Sequence, residues 1–258
     1  VGKTHDLHVR EVLETSLEEN LAMIADSVRH MAQHGRTVFF DAEHFFDGFY
    51  ADRAYALSCL KAAASAGASC LVLCDTNGGM TTQQLVDAIR AVRAETDAPL
   101  GIHTHNDADL AVANTLAAVN EGVVQVQACV NGYGERCGNA NLMSIIANLK
   151  LKLGIDVVTN EQLATLTDVS RYVSEIVNLV PDPYQPYVGS SAFTHKGGLH
   201  VAAVLKNDVS YQHVPPESVG NTRRLLVSEL GGSRAVQQKL KEVGFEFELS
   251  RDDARVLQ

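Results

Sequence analysis

The sequence has no apolar run approaching the roughly 18 residues that a membrane-crossing helix needs, and its first residues carry no apolar signal-peptide core. No membrane partner is expected. It also lacks an initiator methionine, opening on Val1 and running into Gly2, Lys3 and Thr4, so a processed or truncated chain is expected from the first residue. Cysteine is sparse: the five residues Cys59, Cys70, Cys74, Cys129 and Cys137 are odd in number and show no C-x-x-C spacing. Such usage points to buried free thiols in a reducing compartment, and cytoplasm is the expected location. Positive charge is short as well, with 21 Lys and Arg against 31 Asp and Glu and a net charge of −10. Phosphate backbones and anionic membranes are repelled by that balance, so no nucleic-acid partner is expected. What is plentiful is apolar content, at 46% of 258 residues, enough for one large core or two small ones.

Periodicity organises that content. Ser16-Leu17-Glu18-Glu19 reads as a capping box, and Leu21, Ile24, Val28 and Met31 form one helical stripe that stops before Gly35. Residues 38–43 read as a short strand, 45–50 as a loop, and 52–66 as a second helix stopped by Gly67. A continuous apolar strand over 70–76, a turn at Asn77-Gly78-Gly79 and a helix over 82–95 with Leu85, Ile89 and Val92 inward repeat the cycle. Pro99 introduces the next strand, followed by an Ala-rich helix over 107–121, a strand over 123–130, a loop with three glycines over 131–139 and a helix over 141–153. Strands beginning near 38, 70, 100 and 123, each followed by a helix, are successive βα units of a parallel sheet.

Two architectures compete, an open four-stranded sheet and part of a (β/α)8 barrel, whose C-terminal face would collect Glu43, Thr76, His103 with His105, and Asn139. The expected fold class is α/β, the second half of a (β/α)8 TIM barrel followed by a mainly helical subdomain. Expected boundaries are 1–155 for the barrel half, 156–233 for a helical linker or lid, and 234–258 for a charged, partly helical tail or the start of a further domain. Within the middle part, 159–179 reads as one or two helices with Leu163, Leu166, Val169 and Val173 in step. The three prolines of 181–189 forbid regular helix there and suggest the linker or lid itself. Residues 190–206 hold His195, Lys196, Gly197, Gly198 and His200, and 222–230 is helix-prone.

The stretch Gly101-Ile102-His103-Thr104-His105-Asn106-Asp107 carries the clearest chemistry. Side chains alternate along a strand, so His103 and His105 point the same way and can hold one metal ion between them. Each candidate also has a plainer reading. Glu43, whose neighbour Asp41 shares its face, could be a carboxylate satisfied by helix amides. Thr76 and Asp75 could serve only a turn. The 132–139 loop could cradle a phosphate or be pinned by an ion pair involving Glu135 and Arg136, and His200 could merely begin a helix.

GIHTHNDADLAVANTLAAVNEG resembles the H-x-H-N-D signature of the metal-dependent Claisen-condensing barrels, the isopropylmalate, homocitrate and citramalate synthases with their lyase cousins, and NGYGERCGNANL resembles their G-E-R-x-G-N loop. With GKTHDLHV, DAEHFFDGF, LCDTNGG, QPYVG, AFTHKGGLHVAAVLKN and NTRRLLVSEL, the chain is most similar to the citramalate-forming subgroup that serves isoleucine synthesis. The resemblance implies a divalent metal (Mg2+, Mn2+ or Zn2+) on His103 and His105 with Asn139 nearby. It further implies acetyl-CoA and pyruvate as substrates, Thr76 and Arg136 as substrate-binding residues, and a homodimer. Catalysis would rest on His200 as base, Glu43 orienting it or a water, and Tyr211 as a weaker candidate. The family takes a further aspartate ligand and an adjacent arginine from its first strand, which the chain lacks, so the resemblance implies poor activity for this chain alone. An isopropylmalate synthase, a metal-dependent lyase or aldolase, and a non-catalytic assembly partner remain open.

Overall fold

A computed structural model describes residues 1–195, 203, 207, 210–225, 244 and 245. The chain divides into two compact units, Val1–Ile145 and Ile146–Gln258.

The first unit is built on a five-stranded sheet in the order β1-β2-β3-β4-β5, every pairing parallel: β1 (Gly2–Lys3), β2 (Phe39–Glu43), β3 (Cys70–Asp75), β4 (Leu100–Thr104) and β5 (Gln125–Gln127). Sequential parallel order requires a crossover between each pair of neighbours. These are supplied by α1 (Asp6–Glu11) and α2 (Leu17–Gln33), α3 (Phe45–Ala51) and α4 (Arg53–Ser65), α5 (Thr82–Arg93), and α6 (Ala111–Asn120). The α/β expectation therefore holds, in the successive βα form that barrels use.

Alternation gives the sheet two unlike faces. Phe40, Ala42, Leu71, Leu73, Leu100 and Ile102 bury themselves in one core with Ile24, Val28, Leu60, Leu85 and Ile89 of the helices. Cys70, Val72 and Cys74, on the other face of β3, form a separate small cluster. Lys3, Asp41, Glu43, Gly101, His103, Gln125 and Gln127 share that second face by strand period and register. It is concave. In a flat sheet β2 and β5, three spacings of about 4.8 Å apart, would lie some ~14 Å from each other, yet Gln127 Nε2 donates to Asp41 Oδ1 at 2.8 Å. The sheet must curl toward this face for those side chains to meet.

Local sequence explains most element ends. Ser16 caps α2, its hydroxyl accepting from Glu19 N–H at 3.1 Å, and α5 begins with a full capping box between Thr81 and Gln84. Three features depart from the periodic reading. Residues 45–50, expected as a loop, are helical, because Phe45, Phe46 and Phe49 all find burial there. Gly48 makes that packing possible, since a Cβ on it would stand 2.5 Å from the Thr4 carbonyl oxygen. The helix expected from 107 starts at Ala111, because Asp109 takes φ 59° and Asn106 Oδ1 accepts from Ala111 N–H at 3.2 Å, leaving 107–110 as a turn. The strand expected over 123–130 keeps only Gln125–Gln127.

β1 escapes a periodic reading because two residues carry no period. It is held by side chains: Asn20 Nδ2 donates to the Lys3 carbonyl at 2.9 Å and lies 2.7 Å from the Tyr55 hydroxyl, both buried. The Tyr55 phenol and the Cys59 thiol beside it are both pushed up by burial, the thiol to about 11. Of the cysteines, Cys59, Cys70 and Cys74 are buried as expected, but Cys129 is half-buried and Cys137 is exposed; all are free.

After β5 comes α7 (Leu142–Leu151), the helix expected over 141–153, and in the second unit α8 (Asn160–Leu163) and α9 (Leu166–Ile176) realise the expected helix pair, in a different register. Leu163 and Leu166 are buried, but Val169 is 40% exposed, and Thr167, Ser170 and Ser174 turn inward instead. Thr167 Oγ1 donates to the Val219 carbonyl at 2.7 Å, and Ser174 Oγ to the Ser170 carbonyl at 2.9 Å, so the buried hydroxyls are satisfied. The proline-rich stretch is hydrogen-bonded in place: Asn221 Nδ2 donates to the carbonyls of Tyr187 and Gly189 at 2.9 and 3.0 Å. Short parallel strands β6 (Thr194–His195) and β7 (Arg224–Leu225) pair beyond it. The 222–230 segment, expected as helix-prone, opens instead in β7, because Arg224 and Leu225 pair with Thr194 and His195; its remainder and most of the 234–258 tail lie outside the described residues. Among the described residues no helix is long and apolar enough to cross a membrane.

Replacing Asn20 with Ala removes the amide donor from the Lys3 carbonyl and the amide contact from the Tyr55 hydroxyl, leaving both only the weak Cys59 thiol, a loss of about 1–3 kcal/mol for a buried group left short of its partner. A drop of that size in urea-unfolding free energy, with an unchanged m-value, is the expected outcome; an Asn20→Ala chain as stable as the parent would refute it.

Candidate active site

β4 delivers His103 on the concave face at its C-terminal end, and His105 follows one pleat later. Their Nε2 atoms lie 3.2 Å apart, with ring centroids 5.0 Å apart. The His103 Nδ1 lies 2.9 Å from Gln127 Oε1, on the register partner of His103 in β5. Burial and the neighbouring His103 hold the His105 imidazole below its ordinary pKa, so the uncharged ring is favoured.

The glycine-rich loop closes over these rings. An antiparallel bridge pairs His105 with Asn139, and Asn106 N–H donates to the Gly138 carbonyl at 2.9 Å. Gly138 takes φ +90°, and a Cβ there would overlap the Gly132 carbonyl oxygen, so the loop can fold back on itself only with glycine at this position. Arg136 anchors it from outside: Nε and Nη2 fork onto the two Asp107 oxygens at 2.8 and 2.9 Å, and Nη2 also donates to the Thr76 carbonyl at 2.8 Å. That guanidinium holds the Asp107 carboxyl below the usual range. One side chain thus ties the loop to the ends of β3 and β4.

Glu43 ends β2 and meets Lys3 Nζ at 2.6 Å across the β1–β2 pairing. Beside it His44 takes a left-handed φ of 57°, and its ring stacks on His8 with centroids 3.8 Å apart. Burial lowers the pKa of both imidazoles. Thr76 Oγ1 accepts from His44 N–H at 2.8 Å, which links the ends of β2 and β3. Asp75 lies on the opposite, helix-side face of β3 and is fully buried. Its Oδ2 accepts from Met80 N–H at 3.3 Å while Oδ1 has no partner, and burial pushes the carboxyl up to about 6.

The structure therefore brings Glu43, Thr76, His103, His105, Arg136 and Asn139 to one end of one sheet. Tyr211 is exposed and belongs to the second unit, and His200 lies outside the described residues. Sequence reading missed Lys3, Gln127 and His44. Gln127 had a legible signal, because Gln125 and Gln127 are polar at alternate positions of an otherwise apolar run.

The donors present fit a divalent cation. Two nitrogens each about 2.1 Å from one ion can be at most about 4.2 Å apart, and the observed 3.2 Å satisfies that limit. Asn139 Oδ1 is buried without a hydrogen-bond partner, as an oxygen kept for an ion would be. Among the described residues no group of three or more His, Cys, Asp or Glu side chains forms a metal site, so the imidazole pair has no carboxylate beside it to complete one.

Comparison with known proteins follows the same line. The family described as HMGL-like matches residues 1–173, and the homocitrate synthase post-HMGL domain-like family matches residues 187–256. The chain is 53% identical to an (R)-citramalate synthase of Geobacter sulfurreducens over 96% of this chain and 47% of that protein. It is 39% identical to a probable 2-isopropylmalate synthase of Methanopyrus kandleri over 94% of this chain and 48% of that protein. The chain thus spans about half the length of the curated relatives it matches. Among solved structures, the HMG-CoA lyase of Bacillus subtilis superposes with a TM-score of 0.60 at 21% identity, covering 70% of this chain and 63% of that one, a likeness of fold.

The buried Asp75 generates a pH dependence. Its folded pKa of about 6 stands above the ordinary 3.8, so its contribution to stability is complete below 3.8 and is lost as pH rises through 6. An Asp75→Asn chain escapes that loss. Its stability advantage over the parent, from urea unfolding at a series of pH values, should grow between pH 4 and 6 and level off above; a pH-independent difference would contradict the assignment.

Proposed function

The chain belongs to the HMGL-like family, and from that membership we propose that it carries the metal-binding part of an enzyme that condenses acetyl-CoA with pyruvate and hydrolyses the thioester to citramalate and CoA. The observation that carries this reading is the facing pair of imidazole nitrogens, 3.2 Å apart, under a loop whose Asn139 oxygen is left unpaired. The substrate is favoured by identity, 53% to a citramalate synthase against 39% to a probable isopropylmalate synthase, which would take a larger 2-oxoacid.

Mg2+, Mn2+ or Zn2+ held by His103, His105 and Asn139 would supply Lewis acidity to the ketone of a 2-oxoacid. The chain's own side chains account for the remaining roles. Thr76 Oγ1 already accepts a hydrogen bond from His44 N–H, so its own proton is free to be donated to a substrate carboxylate. Arg136, whose fork to Asp107 keeps the loop in position, is the proposed guanidinium partner of a substrate oxygen at the rim. Glu43, steadied by Lys3, orients the base or a water. His200 is the proposed base that takes a methyl proton from acetyl-CoA, with Tyr211 as the alternative proton carrier. The methyl carbon then bonds to the ketone carbon, and water cleaves the thioester to release the CoA thiol. A homodimer in which the second unit of one copy serves the other belongs to the same reading.

Thiol release from acetyl-CoA, measured on the polypeptide at its natural length with Mg2+ or Mn2+ and a panel of 2-oxoacids, tests the proposal. Release selective for pyruvate supports it; preference for a longer 2-oxoacid favours the isopropylmalate alternative, and no release with any favours a non-catalytic role. In that assay Thr76→Val removes a hydrogen bond to a charged group, a loss of about 1.5–3 kcal/mol. The KM for pyruvate should rise about 10- to 100-fold while that for acetyl-CoA stays within about twofold.

A further inference from the structure

We propose that Asp41 and Gln127 form a directional relay that decides which nitrogen of His103 is free to bind a cation; the inference rests on the metal reading above. A carboxylate only accepts hydrogen bonds. Gln127 must therefore present its NH2 group to Asp41 Oδ1, at 2.8 Å, which leaves its carbonyl oxygen facing His103 Nδ1 at 2.9 Å. A carbonyl oxygen also only accepts, so His103 Nδ1 must carry the proton. The lone pair then stands on Nε2, the atom that faces His105. Three side chains on three strands, each with a single allowed polarity, fix one tautomer and hold the ring plane against rotation.

The sheet builds this relay. Asp41, Val72, Gly101 and Gln125 lie in one register row, and His103 pairs with Gln127 in the next. A Cβ on Gly101 would overlap Gln125 Oε1, so glycine at this position lets the Gln125 side chain lie against β4 in the row that holds Asp41. Asp41 thus acts two groups away from the cation, as a positioning residue. Reversing the polarity of the outer pair should preserve its effect: in Asp41→Asn with Gln127→Glu, the new amide NH2 donates to the new carboxylate, which accepts from His103 Nδ1–H.

Two measurements on the chain test the relay. Two-bond 1H–15N spectra without metal, with the His103 signals assigned by their loss in His103→Asn, should show Nδ1 protonated and Nε2 bare; the opposite tautomer would overturn the proposal. Titration with Mn2+ alone should show affinity about tenfold weaker in Asp41→Leu and in Gln127→Leu, each of which removes one partner of the relay. The double variant Asp41→Asn/Gln127→Glu should recover to within about threefold of the parent. A double variant as weak as either single variant, or Asp41→Leu as tight as the parent, also counts against the relay. Should a single variant fail to fold, by its thermal transition without metal, the parent spectrum decides. Should the parent take up no Mn2+, the metal reading fails by itself, and the tautomer still answers for the relay.

Discussion

Curvature of the parallel sheet is the constraint on which the polar site depends. Alternation alone would set Lys3, Asp41, Glu43, His103 and Gln127 on a common face, but on a flat sheet Asp41 and Gln127, three strands apart, would be too distant to meet. Curling toward that face brings β2 and β5 within a hydrogen bond of each other through Asp41 and Gln127. The apolar core of Phe40, Leu71, Leu73, Leu100 and Ile102 lies on the other face, beneath the helices. Burial behind the sheet and polarity in front of it are two outcomes of one strand period.

The strand ends are then joined by a few long-range polar contacts. Lys3 with Glu43 connects β1 to β2, Thr76 with the His44 amide connects β2 to β3, and Arg136 gathers Thr76 and Asp107 beneath the glycine-rich loop. The exposed Arg136–Asp107 pair contributes little to stability. Its value here is geometric, because a bidentate guanidinium fixes direction as well as distance.

Much of this was legible in the sequence, and the rest was not for identifiable reasons. Strands β2, β3 and β4 announce themselves as apolar runs, and His103 with His105 as an alternating pair, because both signals are local. β1 is too short to have a period, and α3 depends on aromatic burial that no helical stripe foretells. α9 departs in another way: its apolar positions suggest an inward face, yet Thr167, Ser170 and Ser174 occupy it, with the Thr167 and Ser174 hydroxyls donating to the carbonyls of Val219 and Ser170. The contacts of Glu43 with Lys3 and of Asp107 with Arg136 join residues far apart in the chain, and only the pairing of the strands shows which partner each one takes.

The cysteines, too, are sorted by this architecture. Cys59, Cys70 and Cys74 sit inside, where burial raises each thiol and keeps it protonated at neutral pH. Cys137 alone is exposed, on the loop that carries Arg136 and Asn139. A thiol-selective fluorophore or spin label would therefore find its most accessible attachment point on the loop that bridges to His105, giving the molecule a built-in reporter on the surroundings of the histidine pair.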